Sequence, residues 1–115
     1  MYKRAHRVDN SQAELFADLR RFGFSVFDTS ALGQDFPDAV IGRQGITTLL
    51  EVKTPRGLIG SYRISPGQKL FARDWRGSPI IYGHEAERVA KEFIQLAKRF
   101  DQWPKDGSIR GVKER

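Results

Sequence analysis

Two short apolar runs on either side of a glycine-bearing turn constrain this chain more than any other feature. Asp38-Ala39-Val40-Ile41 and Ile46-Thr47-Thr48-Leu49-Leu50-Glu51-Val52-Lys53 read as strands, and Gly42-Arg43-Gln44-Gly45 lies between them as a hairpin turn. Side chains on a strand alternate between faces, so a hairpin around Gln44-Gly45 fixes which residues stand opposite one another. Counted outward from that turn, Asp38 and Glu51 are equally distant, at about six residues each. Val52 continues the apolar set, whereas Glu51 and Lys53 share the other face and interrupt it with opposite charges. Three ionisable groups are therefore expected at one end of the hairpin, a costly arrangement without a partner such as a metal ion.

The flanking sequence predicts helices and further strands. From Ser11 to Phe22, the residues Leu15, Phe16, Leu19 and Phe22 recur at helical spacing; Asp9, Asn10 or Ser11 suits the cap and Gly23 the stop. Phe24–Phe27 reads as a strand and Thr29–Phe36 as a loop. Beyond the hairpin, Thr54–Ile64 carries Pro55, Gly57 and Gly60 and reads as a loop. Ser65-Pro66-Gly67-Gln68 opens a second helix as a capping box, with Leu70, Phe71 and Trp75 as apolar contacts and Gly77 as the stop. A strand at Pro79–Tyr82 and a helix from Glu85 to Phe100, striped by Val89, Phe93, Leu96, Ala97 and Phe100, complete the order α-β-β-β-α-β-α. The expected fold class is α/β, a mixed central sheet of about four strands flanked by helices, with one domain over residues 1–100 and a C-terminal tail over 101–115.

Composition narrows the chemistry. The chain of 115 residues has no cysteine, which excludes thiolate zinc sites, cysteine nucleophiles and disulfide frameworks and suits a reducing cytoplasm. No apolar run reaches membrane-spanning length and no signal-peptide core follows Met1, so no membrane partner is expected. A net charge of +6 favours a polyanionic partner.

Two carboxylates with water and phosphate oxygens suit a hard octahedral cation, Mg²⁺ by preference, with Mn²⁺ fitting the same donors. Such an ion neutralises charge on a phosphodiester under attack and lowers the pKa of a bound water. Asp38 and Glu51 are the expected metal ligands, and Lys53 the group that positions water or stabilises phosphate charge. Arg7, Arg43, Arg56 and Arg63 are candidate phosphate contacts; Arg56 and Arg63 stand out because their loop follows the Glu51–Lys53 strand.

Pro37-Asp38 followed by Glu51-Val52-Lys53 resembles the PD-(D/E)XK nuclease superfamily. Glu14 on the first helix, Gly23-Phe24, Ser30 in the next loop and Gln68 on the second helix occur in an order similar to the archaeal Holliday junction resolvases and the virus-type replication–repair nuclease (VRR-NUC) domains. The likeness covers roughly residues 8–82. It implies a restriction-endonuclease-like core and a Mg²⁺-dependent endonuclease acting on DNA, with branched junctions a natural substrate and RNA left open. It also implies a homodimer and a phage or prokaryotic cytosolic setting. Glu14 would bind a second metal or its water, Gln68 would support the site, and Ser30 would lie near the scissile phosphate. The chain departs from the resolvases at Ile80-Ile81-Tyr82-Gly83-His84, where a basic residue is usual.

Each assignment has a plainer alternative. Glu-x-Lys on a strand is commonly a surface ion pair, Glu14 a solvated helix residue, Gln68 a capping residue and Ser30 a loop hydrogen-bonder. The competing function is a non-catalytic nucleic-acid-binding module that keeps the nuclease fold. His6 and His84 lack metal-ligand spacing, and Phe16, Phe22, Phe71, Trp75, Phe93 and Phe100 read as core.

Overall fold

The computed structural model describes residues 4–54 and 62–100, with side chains from 12 to 54 and from 62 to 99. Its elements are α1 (Arg4–Arg21), β1 (Ser25–Asp28), a 3₁₀ turn (Ser30–Leu32), β2 (Ala39–Arg43), β3 (Ile46–Val52), α2 (Pro66–Asp74), β4 (Ile81–Gly83) and α3 (Ala86–Phe100). The four strands form one mixed sheet in the order β1-β2-β3-β4. The β1–β2 and β2–β3 pairs are antiparallel and β3–β4 is parallel. The α/β class and the order of elements are those the sequence predicts; the tail from 101 onward lies outside the described residues.

The hairpin forms where the alternation places it. Gln44 and Gly45 take φ values of 53° and 85°, the two positive values that a two-residue turn between twisted strands requires. The resulting register pairs Ala39 with Leu50 and Ile41 with Thr48. Ala39, Ile41 and Leu50 point to one face, each fully excluded from solvent. There they meet Leu15, Phe16 and Leu19 of α1 and Val89 and Phe93 of α3 in a single apolar cluster. Phe24, just before β1, packs edge-on against Phe93 with ring centroids 4.9 Å apart.

α1 closes as the sequence predicts but begins earlier. Gly23, at φ 95°, lets its N–H bond the carbonyl of Arg20 and the N–H of Phe24 bond that of Leu19. This Schellman arrangement folds Phe24 back toward Leu19. At the other end the helix extends to Arg4 instead of starting near Ser11. Nothing between them is glycine or proline, and Asp9, Asn10 and Ser11 only weaken a helix without breaking it.

α2 begins with the expected capping box: the Gln68 N–H donates to Ser65 Oγ, and the Ser65 N–H to Gln68 Oε1. It stops at Asp74, before Gly77, with the Trp75 N–H closing on the Phe71 carbonyl. Trp75 and Phe22 lie at the surface and not in the core, 37% and 45% exposed. β4 forms at Ile81–Gly83, two residues later than predicted. Pro79 has no N–H to pair, and its carbonyl is taken by the Thr48 hydroxyl at 2.9 Å. Among the described residues, no helix is long and apolar enough to cross a membrane.

The Thr48–Pro79 bond fastens the entry to β4 onto β3 from a side chain that is 2% exposed. Replacing Thr48 with valine keeps the shape and loses the bond. The expected cost is about 1 kcal/mol, read as a lower urea midpoint at unchanged slope.

Candidate active site

Carrying the β2–β3 register one residue past Ala39–Leu50 sets Asp38 directly across from Glu51. Both side chains therefore leave the sheet on the face opposite the α1–α3 core. Asp38 is fixed there because its Oδ2 accepts from the Val52 N–H at 2.8 Å. Glu51 is 7% exposed, one of only two buried polar side chains among the described residues. Its Oε2 accepts from Gln68 Nε2 at 2.7 Å, which places α2 on this face.

Gln68 thus fills both roles open to it. Its carbonyl oxygen completes the helix cap while its amide nitrogen holds Glu51. One side chain satisfies both because an amide carries an acceptor and donors at opposite corners.

Charge at this end of the hairpin is unbalanced. Burial first, and then the charge of the facing Asp38, push the Glu51 carboxyl up to about 7; the nearby Lys53 ammonium offsets part of the rise. Lys53 follows Glu51 by two residues along the strand, and its backbone N–H donates to the Gly83 carbonyl at 2.9 Å. Its side chain lines a depression of about 680 Å³ together with Thr54, Arg63, Ser65 and Gln68. That hollow holds two cationic side chains and no acidic one, beside a carboxylate pair. The arrangement suits a phosphate group.

Two neighbours join the pair in the fold: Tyr82, and Asp35, the loop aspartate near Asp38. Tyr82 pairs with Glu51 across the parallel β3–β4 ladder. Burial and then the Glu51 charge hold its phenol above the ordinary value, and its ring stacks on Tyr62 at 6.4 Å. Asp35 adds a third negative charge that Glu51 senses. Parallel register has no sequence signature as direct as a hairpin turn, so Tyr82 could not be placed from the residues alone.

The remaining candidates fall elsewhere. Glu14 is not brought to the pair. It is exposed, and it lines a depression of about 600 Å³ with Asp18, His84, Glu85 and Lys91. Leu15, Phe16 and Leu19 hold α1 on the other face of the sheet. Ser30 gives its N–H and hydroxyl to Asp28 Oδ1 at 2.9 and 2.5 Å. These bonds keep the Asp28 carboxyl below its ordinary value and make Ser30 the turn-former of its loop. Arg43 sits at the far end of the hairpin, beside Gln44. Its Nε donates to the Phe22 carbonyl at 3.1 Å and its guanidinium lies over the Phe24 ring. Arg63 lines the Lys53 depression, whereas Arg56 and the side chain of Arg7 lie outside the described residues.

Among the described residues, no group of three or more His, Asp or Glu side chains is gathered tightly enough to cage a metal ion. Two facing carboxylates with surplus negative charge are the donor set on offer. That set fits Mg²⁺, which commonly binds one or two carboxylates and completes its shell with water and substrate oxygens. No family model matches the chain, and comparison with curated proteins and with solved structures gives no significant match.

Proposed function

We propose that this chain is a divalent-metal-dependent nuclease domain of the PD-(D/E)XK type, with a restriction-endonuclease-like core, that hydrolyses DNA phosphodiester bonds. The observation that carries the reading is the cross-strand pair Asp38–Glu51, with Lys53 next on the same face and a basic hollow beside it. A surface ion pair does not account for this. Glu51 is buried, faces another carboxylate and is held by a neutral amide instead of a cation.

Asp38 and Glu51 would hold the cation. When bound, it supplies charge neutralisation at the phosphate and a water of lowered pKa. The protein's own groups orient the rest. The Val52 N–H fixes the Asp38 carboxylate, and the Gln68 amide fixes that of Glu51. Lys53 and Arg63 draw a phosphodiester into the hollow they line. The Lys53 ammonium stands where it can stabilise charge on the phosphate oxygens. Structure-specific cutting of branched DNA, as by a resolvase-like homodimer, is the form of activity proposed.

The test is a panel of linear duplex, single-stranded DNA, four-way junction and RNA, each incubated with Mg²⁺ or Mn²⁺. Cleavage of at least one DNA substrate is expected, stopped by chelation and by Asp38→Asn. If the wild type leaves every substrate intact with both cations, the nuclease assignment is wrong.

A further inference from the structure

α2 buries none of its residues, yet it sets the Gln68 amide within 2.7 Å of Glu51. Its apolar side is only half-buried, at Phe71 and Ala72. One contact is aromatic: Phe71 meets Phe36 edge-on with centroids 5.5 Å apart. The other is made by Asp35, whose carboxyl group presses so closely on Gly67 that a methyl group there would run into all three of its outer atoms.

The backbone is arranged to deliver that carboxyl. Gly33, Gln34 and Asp35 take φ values of 71°, 54° and 63°, so two successive non-glycine residues lie in the left-handed region. Such conformations persist only where surrounding contacts impose them. The first turn of α2 contains no acidic residue of its own. Asp35 therefore supplies, from another element, negative charge beside the N-terminal end of that helix.

We propose that Asp35 is a positioning residue for the catalytic pair. Its contact with Gly67 fixes the first turn of α2 on the β1–β2 connection. The two residues that touch are neighbours of those that matter: Gly67 precedes Gln68, which holds Glu51, and Asp35 lies one short turn before Asp38. That contact, beside the Phe36–Phe71 one, ties the Glu51 support to the connection leading into the strand that carries Asp38. Its catalytic consequence rests on the nuclease reading above; the linkage itself does not.

Gly67→Ala, Asp35→Gly and the double variant test it. Glycine suits the positive φ at 35 while removing the carboxyl. Two readouts are used: the Gln68 side-chain amide in ¹⁵N–¹H correlation spectra, and kcat and KM for DNA cleavage. The dispersion of the other amide resonances reports whether each variant is folded. Gly67→Ala is expected to move the Gln68 amide toward the position of a free glutamine and to lower kcat by about 10- to 100-fold with KM near wild type. In the Asp35→Gly background the same methyl has room, so Gly67→Ala adds no further change. A Gly67→Ala protein with the wild-type Gln68 resonance, or one whose effect adds in full to that of Asp35→Gly, overturns the proposal. Absence of cleavage by the wild type would overturn the nuclease reading alone, because the amide resonance reads the linkage without turnover.

Discussion

Lys53→Ala is expected to slow phosphodiester cleavage by about 10²- to 10³-fold while leaving nucleic-acid affinity close to wild type. The strand should survive the change, because Lys53 is held in the sheet by its backbone N–H on the Gly83 carbonyl, not by its side chain. What goes is an ammonium beside the carboxylate pair. Affinity depends on many phosphate contacts, and one cation among a net +6 contributes little to it. The transition state places its charge at one point, where a single ammonium counts for more. Lys53 also offsets part of the rise in Glu51, so the variant should need a higher pH to reach its own maximum. Lys53→Arg separates the two roles assigned to this side chain. A guanidinium restores positive charge but does not give up a proton. Partial rescue therefore points to charge stabilisation, and no rescue to handling of the attacking water. Single-turnover rates with binding measured at fixed salt decide the matter. Cutting by Lys53→Ala at the wild-type rate would remove Lys53 from the mechanism.

The parts of this site that were legible in the sequence are those fixed by local periodicity. Strand alternation and the Gln44-Gly45 turn determine the β2–β3 register, and that register alone faces Asp38 with Glu51. The capping box placed Gln68 on the first turn of α2 for reasons internal to that helix. Its bond to Glu51 was not legible, because it depends on where α2 lands. Glu14 shows the same boundary from the other side. Helical spacing identified Leu15, Phe16 and Leu19 as the buried stripe, but not which face of the sheet would receive it. Once α1 lies with α3 over Ala39 and Ile41, Glu14 lines the α1–α3 side instead of joining the carboxylates. The place of Asp35 likewise depends on a contact and not on periodicity. An aspartate in a loop signals a turn, and nothing in Gly33-Gln34-Asp35 announces two successive left-handed residues set by a contact with Gly67. The arginines follow suit: Arg43 has a basic side chain, but its place at the far end of the hairpin commits it to Phe22 and Phe24.

The raised Glu51 carboxyl makes both activity and stability depend on pH, in opposite directions. Its value of about 7 in the folded protein lies above the ordinary 4.5, so between those values the folded state keeps a proton that the unfolded chain has released. Folding stability from this group is therefore complete below about 4.5, is lost as pH rises toward 7, and stays lost above it. Glu51→Gln retains a neutral group of the same shape. It should match the wild type in thermal stability near pH 4.5 and exceed it above pH 7. Cation binding runs the other way, because a carboxylate must be ionised to act as a ligand. At subsaturating Mg²⁺, cleavage should fall about tenfold for each pH unit below 7 and level off above it. Mg²⁺ should stabilise the wild type most above pH 7, where it compensates the repulsion between Asp38 and Glu51, and should leave Glu51→Gln nearly unaffected. Calorimetric melting of both proteins across pH 4.5 to 8, with and without the cation, measures these slopes together. A wild type whose Mg²⁺-induced shift in Tm is the same at pH 5 and pH 8 would show that Glu51 is not a ligand. The facing carboxylates would then be a structural strain with no chemical use.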